Sequence, residues 1–202
     1  MLVAVAYVSR AFGGKPSPQI LYEWSTAFGT LILDGIVLFL VLAIAGFSTR
    51  LLALHAPRAY SATARALGVA LVAIYIVEIV YGRLVHVGNE QGLTPSHWEP
   101  HHAAAYIANA IVICTWVPFV EELTYRGLGY SLLERFGRWP AIISVGLLFG
   151  LAHGLIESLP VLVVFGGVLA WIRSRTGSVY PGMLLHSLFN LVALVAAVTL
   201  SG

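Results

Sequence analysis

Long apolar stretches separated by short polar ones set the frame of this chain. The first clear run extends from Phe28 to Phe47, just after Tyr22 and Trp24, ring types that favour a membrane–water boundary. Ala66 to Val87 follows, then a stretch beginning near Ala103, a run from Ala141 to about Ile156, another from Pro160 to about Ile172, and a last from Tyr180 to Leu200. A bilayer core roughly 30 Å thick needs about 20 mostly apolar residues per spanning helix. The pattern therefore predicts an all-α, polytopic transmembrane bundle of about six spans. No internal repeat is visible. The polar break from Gly88 to His102, with Pro95 and Pro100, divides the chain into an N-terminal segment of two spans (1–102) and a four-helix core (103–202).

Composition agrees with a protein dissolved in lipid. Of 202 residues, 59% are apolar and 10% charged, too little polar surface to cover a soluble globule. The eleven Lys and Arg residues are scattered between apolar runs, so the net charge of +2 builds no basic face. Nucleic acid is not an expected partner, and membrane lipid is. Cys114 is the single cysteine, which leaves no intrachain disulfide and no thiolate cluster for a metal.

The charges also orient the spans. Arg50, Arg58 and Arg65 fall between spans one and two, Arg135 and Arg138 between three and four, Arg173 and Arg175 between five and six. The positive-inside bias predicts that these connections are cytoplasmic. The alternate connections, with Glu90, Glu99 and Glu157, are expected outside with the N-terminus, where Arg10 and Lys15 run against the bias. Leu2 to Val8 is too short an apolar run, without a basic leader, for a cleaved signal. Heavy use of Arg over Lys points to a prokaryotic cytoplasmic (inner) membrane.

Ionisable groups inside apolar spans are costly and mark candidate sites. In the third span, Pro118-Phe-Val-Glu-Glu-Leu-Thr-Tyr-Arg126 sets Glu122 and Arg126 one turn apart, acid before base, so they are expected to pair. Glu121 lies about 100° around the helix and faces different surroundings. In the fourth, Phe149 and His153 share a face, beside Gly146, Gly150 and Gly154 at intervals that favour close helix approach. In the sixth, His186 and Asn190 are one turn apart. Each has a plainer explanation: a helix end at the headgroups, a structural histidine, a polar pair joining two helices. Their common depth favours chemistry, since Glu121, His153 and Asn190 each lie roughly 20 Å along their helices from the arginine-bearing end, with His186 about a turn shallower. His97, His101 and His102 are interrupted by Pro100 and are not expected to ligate a metal. Asp34 and Glu78 are expected to line a substrate entrance or to bind each other, with Arg83 a further candidate partner for Glu78.

In this order the motifs resemble the CPBP (CAAX protease and bacteriocin-processing) family of intramembrane proteases, also called ABI-like. That family shows Glu-Glu-x-x-x-Arg, Phe-x-x-x-His and His-x-x-x-Asn on successive core helices. Here they read Glu121-Glu122-Leu-Thr-Tyr-Arg126, Phe149-Gly-Leu-Ala-His153 and His186-Ser-Leu-Phe-Asn190, covering Pro118 to Asn190. The resemblance implies an intramembrane endopeptidase acting on a hydrophobic or membrane-tethered peptide. Glu121 would take a proton from water, His153 would orient that water, His186 and Asn190 would stabilise the oxyanion, and Glu122, Arg126 and Phe149 would hold the frame. The family carries both a metal-independent, glutamate-based assignment and a metallopeptidase one. The first needs no cofactor; on the second, Glu121, Glu122, His153 and His186 would supply ligands for a divalent metal such as zinc. The competing readings are a proton-coupled transporter, disfavoured by the lack of inverted-repeat symmetry between halves, and a catalytically silent membrane scaffold.

Overall fold

The computed structural model describes Tyr7 and residues 16–85, 88–90 and 92–200. Apart from Tyr7, the expected absence of a signal at Leu2 to Val8 and the charges of Arg10 and Lys15 fall outside the described residues. Six long helices follow: α1 (Trp24–Ile44), α2 (Tyr60–Leu84), α3 (Pro100–Phe136), α4 (Arg138–Ala152), α5 (Leu159–Thr176) and α6 (Tyr180–Leu200). All but α4 are long and apolar enough to cross a membrane. Large side chains such as Phe28, Ile32, Leu33 and Phe39 on α1 point outward, exposed. Helices satisfy their own backbone groups, so such faces suit a hydrocarbon solvent. The chain is a multi-pass helical membrane protein.

The fourth span is shorter than the apolar run predicts. Helix α4 stops at Ala152, its 15 residues measuring about 22 Å, and His153 caps it instead of lying within it. Gly154 then takes a left-handed φ of +66°, a conformation glycine adopts freely and the usual end of a helix. An apolar run to Ile156 concealed this turn, because hydropathy does not register backbone handedness.

Gly146 and Gly150 do what small residues on a membrane helix are expected to do. A Cβ on Gly146 would sit 2.9 Å from the Gly167 nitrogen and the Val163 carbonyl oxygen, and one on Gly150 would sit 2.5 Å from Val163 Cγ2. Helices α4 and α5 therefore touch backbone to backbone. Gly154 belongs to the turn, so the glycine ladder has two rungs facing α5 instead of three. Helix α2 packs on α5, and α1 runs against α3.

Helix α3 is irregular where it matters. Val112–Trp116 and Glu122–Gly129 are wound as π-helix on either side of a short α segment, Val117–Glu121. In the wider winding the Val117 N–H reaches back five residues to the Val112 carbonyl. The next donor in that register belongs to residue 118, a proline without an N–H, and this leaves the Ile113 carbonyl to seek another partner.

The two ends of the bundle differ in charge. Arg50 and Arg58 from the α1–α2 connection and Arg173 from the last turn of α5, which runs past the expected end of that span, line one cavity with Glu134. At the other end the Gly88 N–H donates to the Glu157 carboxylate (2.8 Å), and the N–H groups of Ile156 and Ser158 donate to Glu90 (3.3 and 2.9 Å). Alternate connections thus gather at the same end, as their charges predict. The histidine-rich loop closes on itself, with His102 2.9 Å and His97 3.4 Å from Glu99.

Candidate catalytic site

Four of the residues singled out from the sequence converge. Glu121 from α3, His153 at the end of α4, and His186 and Asn190 from α6 all line a cavity of about 350 Å³ whose remaining wall is mostly apolar, including Phe149 and Phe165. Glu121 Oε1 lies 3.9 Å from His153 Nε2, and Glu121 Oε2 lies 3.6 Å from His186 Nε2. Both separations exceed a direct hydrogen bond and are within reach of one bridging water. The Glu121 and His153 side chains remain 22% and 20% exposed, so the cavity is not sealed. Glu121 Oε2 has no hydrogen-bond partner.

Behind this face stands a dry frame. Glu122 and Arg126 are both completely buried, and the expected intrahelical pair forms, Arg126 Nη1 donating to Glu122 Oε1 at 2.9 Å. Arg126 Nη2 donates to the Gly166 carbonyl of α5 at 2.9 Å, and its guanidinium lies 4.4 Å from the centre of the Phe149 ring. Phe149 in turn touches His153 (ring centres 4.7 Å) and meets His186 edge to face (5.8 Å). One aromatic side chain thus packs against both histidines and the arginine.

Hydrogen bonds define what each polar group presents to the cavity. His153 Nδ1 lies 2.8 Å from the Phe149 carbonyl, which only accepts, so in the neutral ring the proton sits on Nδ1 and Nε2 offers a lone pair toward Glu121. His186 Nδ1 lies 3.2 Å from Glu122 Oε1, already an acceptor for Arg126, so His186 likewise donates from Nδ1. It donates from Nε2 into the cavity only when both nitrogens carry protons. Asn190 Nδ2 donates at 2.9 Å to the Ile113 carbonyl, the group left free by Pro118, and retains a second N–H. This coupling between α3 and α6 was not read from the sequence, although Pro118 carried the signal.

Gly182 was missed as well. A Cβ there would lie 2.5 Å from Glu122 Oε2, so α6 passes the buried carboxylate only because residue 182 has no side chain. Asp34 on α1 has its Oδ2 buried without a hydrogen bond. Glu78 lines a neighbouring cavity of about 350 Å³ that shares Leu93, Thr94, Leu162 and Phe189 with the first. Among the described residues no ion pair joins Glu78 to Arg83.

The four side chains named as metal ligands do not form a ligand set as they stand. Glu122 Oε1 is taken up by Arg126 and His186, and no group of three or more His, Cys, Asp or Glu among the described residues is arranged to hold a metal ion.

A carboxylate, two imidazoles and an amide thus meet around one cavity inside a bundle of apolar helices. Residues 103–192 match the family model described as Type II CAAX prenyl endopeptidase Rce1-like. This part of the chain, which holds all three motifs, belongs to the CPBP or CAAX protease family, and the match indicates a CAAX-type intramembrane endopeptidase. No curated protein and no solved structure matches the chain significantly.

Proposed function

We propose that the chain hydrolyses a peptide bond of a hydrophobic or membrane-tethered peptide, using water activated by Glu121. The observation that carries this reading is the meeting of Glu121, His153, His186 and Asn190 around one open cavity, with Glu121 Oε2 unengaged. Water bound between Glu121 and His153 gives a proton to the carboxylate while accepting orientation from the His153 Nε2 lone pair. Its oxygen attacks the scissile carbonyl carbon. The resulting oxyanion is held by the second N–H of Asn190 and by Nε2–H of His186 as an imidazolium, whose charge is offset by the Glu122 carboxylate at its Nδ1 and by the oxyanion itself. Glu121 then passes its proton to the amide nitrogen, the C–N bond breaks, and a carboxylic acid and an amine leave.

Phe149, Glu122 and Arg126 support this chemistry by fixing the two imidazoles. All four reacting side chains come from 103–202, which supports reading that segment as the catalytic core with α1 and α2 as flanking helices. The adjoining cavity beside Glu78 and Tyr81 extends the first along α2 and suits an elongated apolar chain.

Purified protein in detergent, tested on a panel of hydrophobic peptides that includes a prenylated CAAX peptide, is the direct assay. Glu121→Gln is expected to lower turnover about a thousandfold, within the range of general acid–base catalysis, without shifting the melting temperature. Turnover equal to the parent removes Glu121 from the mechanism. No step above needs a metal, so dialysis against a chelator is expected to leave the rate unchanged. Loss of activity that added zinc restores would transfer the role to metal-bound water.

A further inference from the structure

The arginine end of the bundle holds a site that peptide hydrolysis does not use. A cavity of about 600 Å³ lies there, and Arg50 and Arg58 from the α1–α2 connection and Arg173 from α5 all contribute to its wall. Glu134 is the single carboxylate in that lining, and among the described residues no ion pair joins any of the three arginines to an acid. One carboxylate against three arginines leaves the lining net positive, an arrangement that favours an anion in the space it encloses.

The geometry is built and not a loose spray of surface charge. Arg173 is only 8% exposed. Its Nε donates to the Arg126 carbonyl at 3.1 Å, its Nη2 to Ser131 Oγ at 3.4 Å, and it stacks 5.2 Å from the Tyr130 ring centre, while among the described residues Nη1 has no hydrogen-bond partner. Arg58 is drawn in from the loop by its backbone N–H, which donates to the Thr176 carbonyl at 3.2 Å. Its guanidinium lies over Gly177, where a Cβ would come within 3.1 Å of Nε.

We infer that this cavity binds the phosphodiester of an anionic phospholipid headgroup. Planar guanidiniums match phosphate oxygens in pairs. The positive-inside bias puts this end at the cytoplasmic leaflet, where basic pockets between helices take anionic headgroups. Phe47, Phe136 and Trp139 are exposed at the same end, at the level where aromatic rings meet the headgroup region, so the anion that reaches the cavity arrives with acyl chains attached.

The test uses the full chain purified in neutral detergent, exchanged into vesicles of phosphatidylcholine with a minor fraction of phosphatidylglycerol, then extracted and weighed intact by native mass spectrometry. The parent is expected to retain phosphatidylglycerol in preference to phosphatidylcholine. The double variant Arg50→Gln/Arg58→Gln leaves Arg173 and its ties in place and is expected to lose that preference about thirtyfold, which at about 1.4 kcal/mol per factor of ten is the effect of two basic side chains at an anionic surface. Arg65→Gln/Arg175→Gln removes the same charge from exposed positions outside the cavity and is expected to keep it. Equal loss in both doubles would reduce the effect to bulk surface charge and overturn the site. A parent that shows no preference would overturn it too, as would protection of the fold by inorganic phosphate without retention of phosphatidylglycerol.

Discussion

Glu121 and Glu122 are neighbours in sequence and belong to two different regions of the same centre. On one side lies the dry frame: Glu122 and Arg126 without solvent exposure, tied to Gly166 and His186 and roofed by Phe149. On the other lies the wet face, where Glu121 keeps partial exposure, stands 3.6 and 3.9 Å from two imidazoles and has an oxygen without a partner. Both carboxylates keep an Oε2 without a hydrogen-bond partner, so exposure and the ion pair separate them: Glu122 is sealed against Arg126 and holds structure, whereas Glu121 stands at a cavity wall, available to a substrate or to water. The π winding that starts at Glu122 and the short α segment that ends at Glu121 put the boundary between these regions between two consecutive residues.

The contrast predicts that damage to the frame is read as stability and damage to the face as turnover. The largest effect is expected from Arg126→Met, which leaves Glu122 buried beside His186 alone. Removing one partner of a buried pair costs about 3–5 kcal/mol, so thermal unfolding should begin far below the parent's and little folded protein should be recovered. Glu121→Gln, by comparison, should melt with the parent while losing turnover. If Arg126→Met melted normally and Glu121→Gln did not, the division between frame and face would be wrong.

Gly182→Ala is a smaller perturbation of the same frame. The new methyl collides with Glu122 Oε2, on a carboxylate whose other oxygen is held by Arg126 and His186, at an overpacking cost of about 1–3 kcal/mol. A melting curve lowered by several degrees is expected, and an unchanged curve would mean that α6 moves aside freely.

The mildest prediction concerns the carboxylate end. Burial raises the proton affinity of Glu90, but hydrogen bonds from the Ser158, Ile156 and Glu157 backbone and the Ser158 hydroxyl outweigh it and hold the carboxyl below its ordinary 4.5. A depressed folded-state value means that the stabilisation is present above the unfolded-state range and disappears as pH falls through the folded value. Glu90→Gln is therefore expected to lower the melting temperature by about 3 °C at neutral pH, and the difference from the parent should vanish at acid pH. A difference that persists there would assign the effect to packing instead.

Much of this centre was legible in the sequence for a simple reason: charged and amide side chains inside apolar helices are rare enough to be conspicuous. Glu122 and Arg126 are one turn apart, so the sequence alone determined their pairing, because local helix geometry brings such residues together in whatever fold contains them. The six apolar runs, the arginine-rich connections and the two glycines against α5 were equally local properties. What only the tertiary structure decided lies between helices. It ends α4 at His153 and not at Ile156, gives the Pro118-vacated carbonyl of Ile113 to Asn190, brings Gly182 against Glu122, and gathers three arginines from distant segments around one cavity. These contacts depend on which helices are neighbours and how closely they approach, and in lipid hydropathy is nearly silent on both, since one apolar surface is as good a neighbour as another.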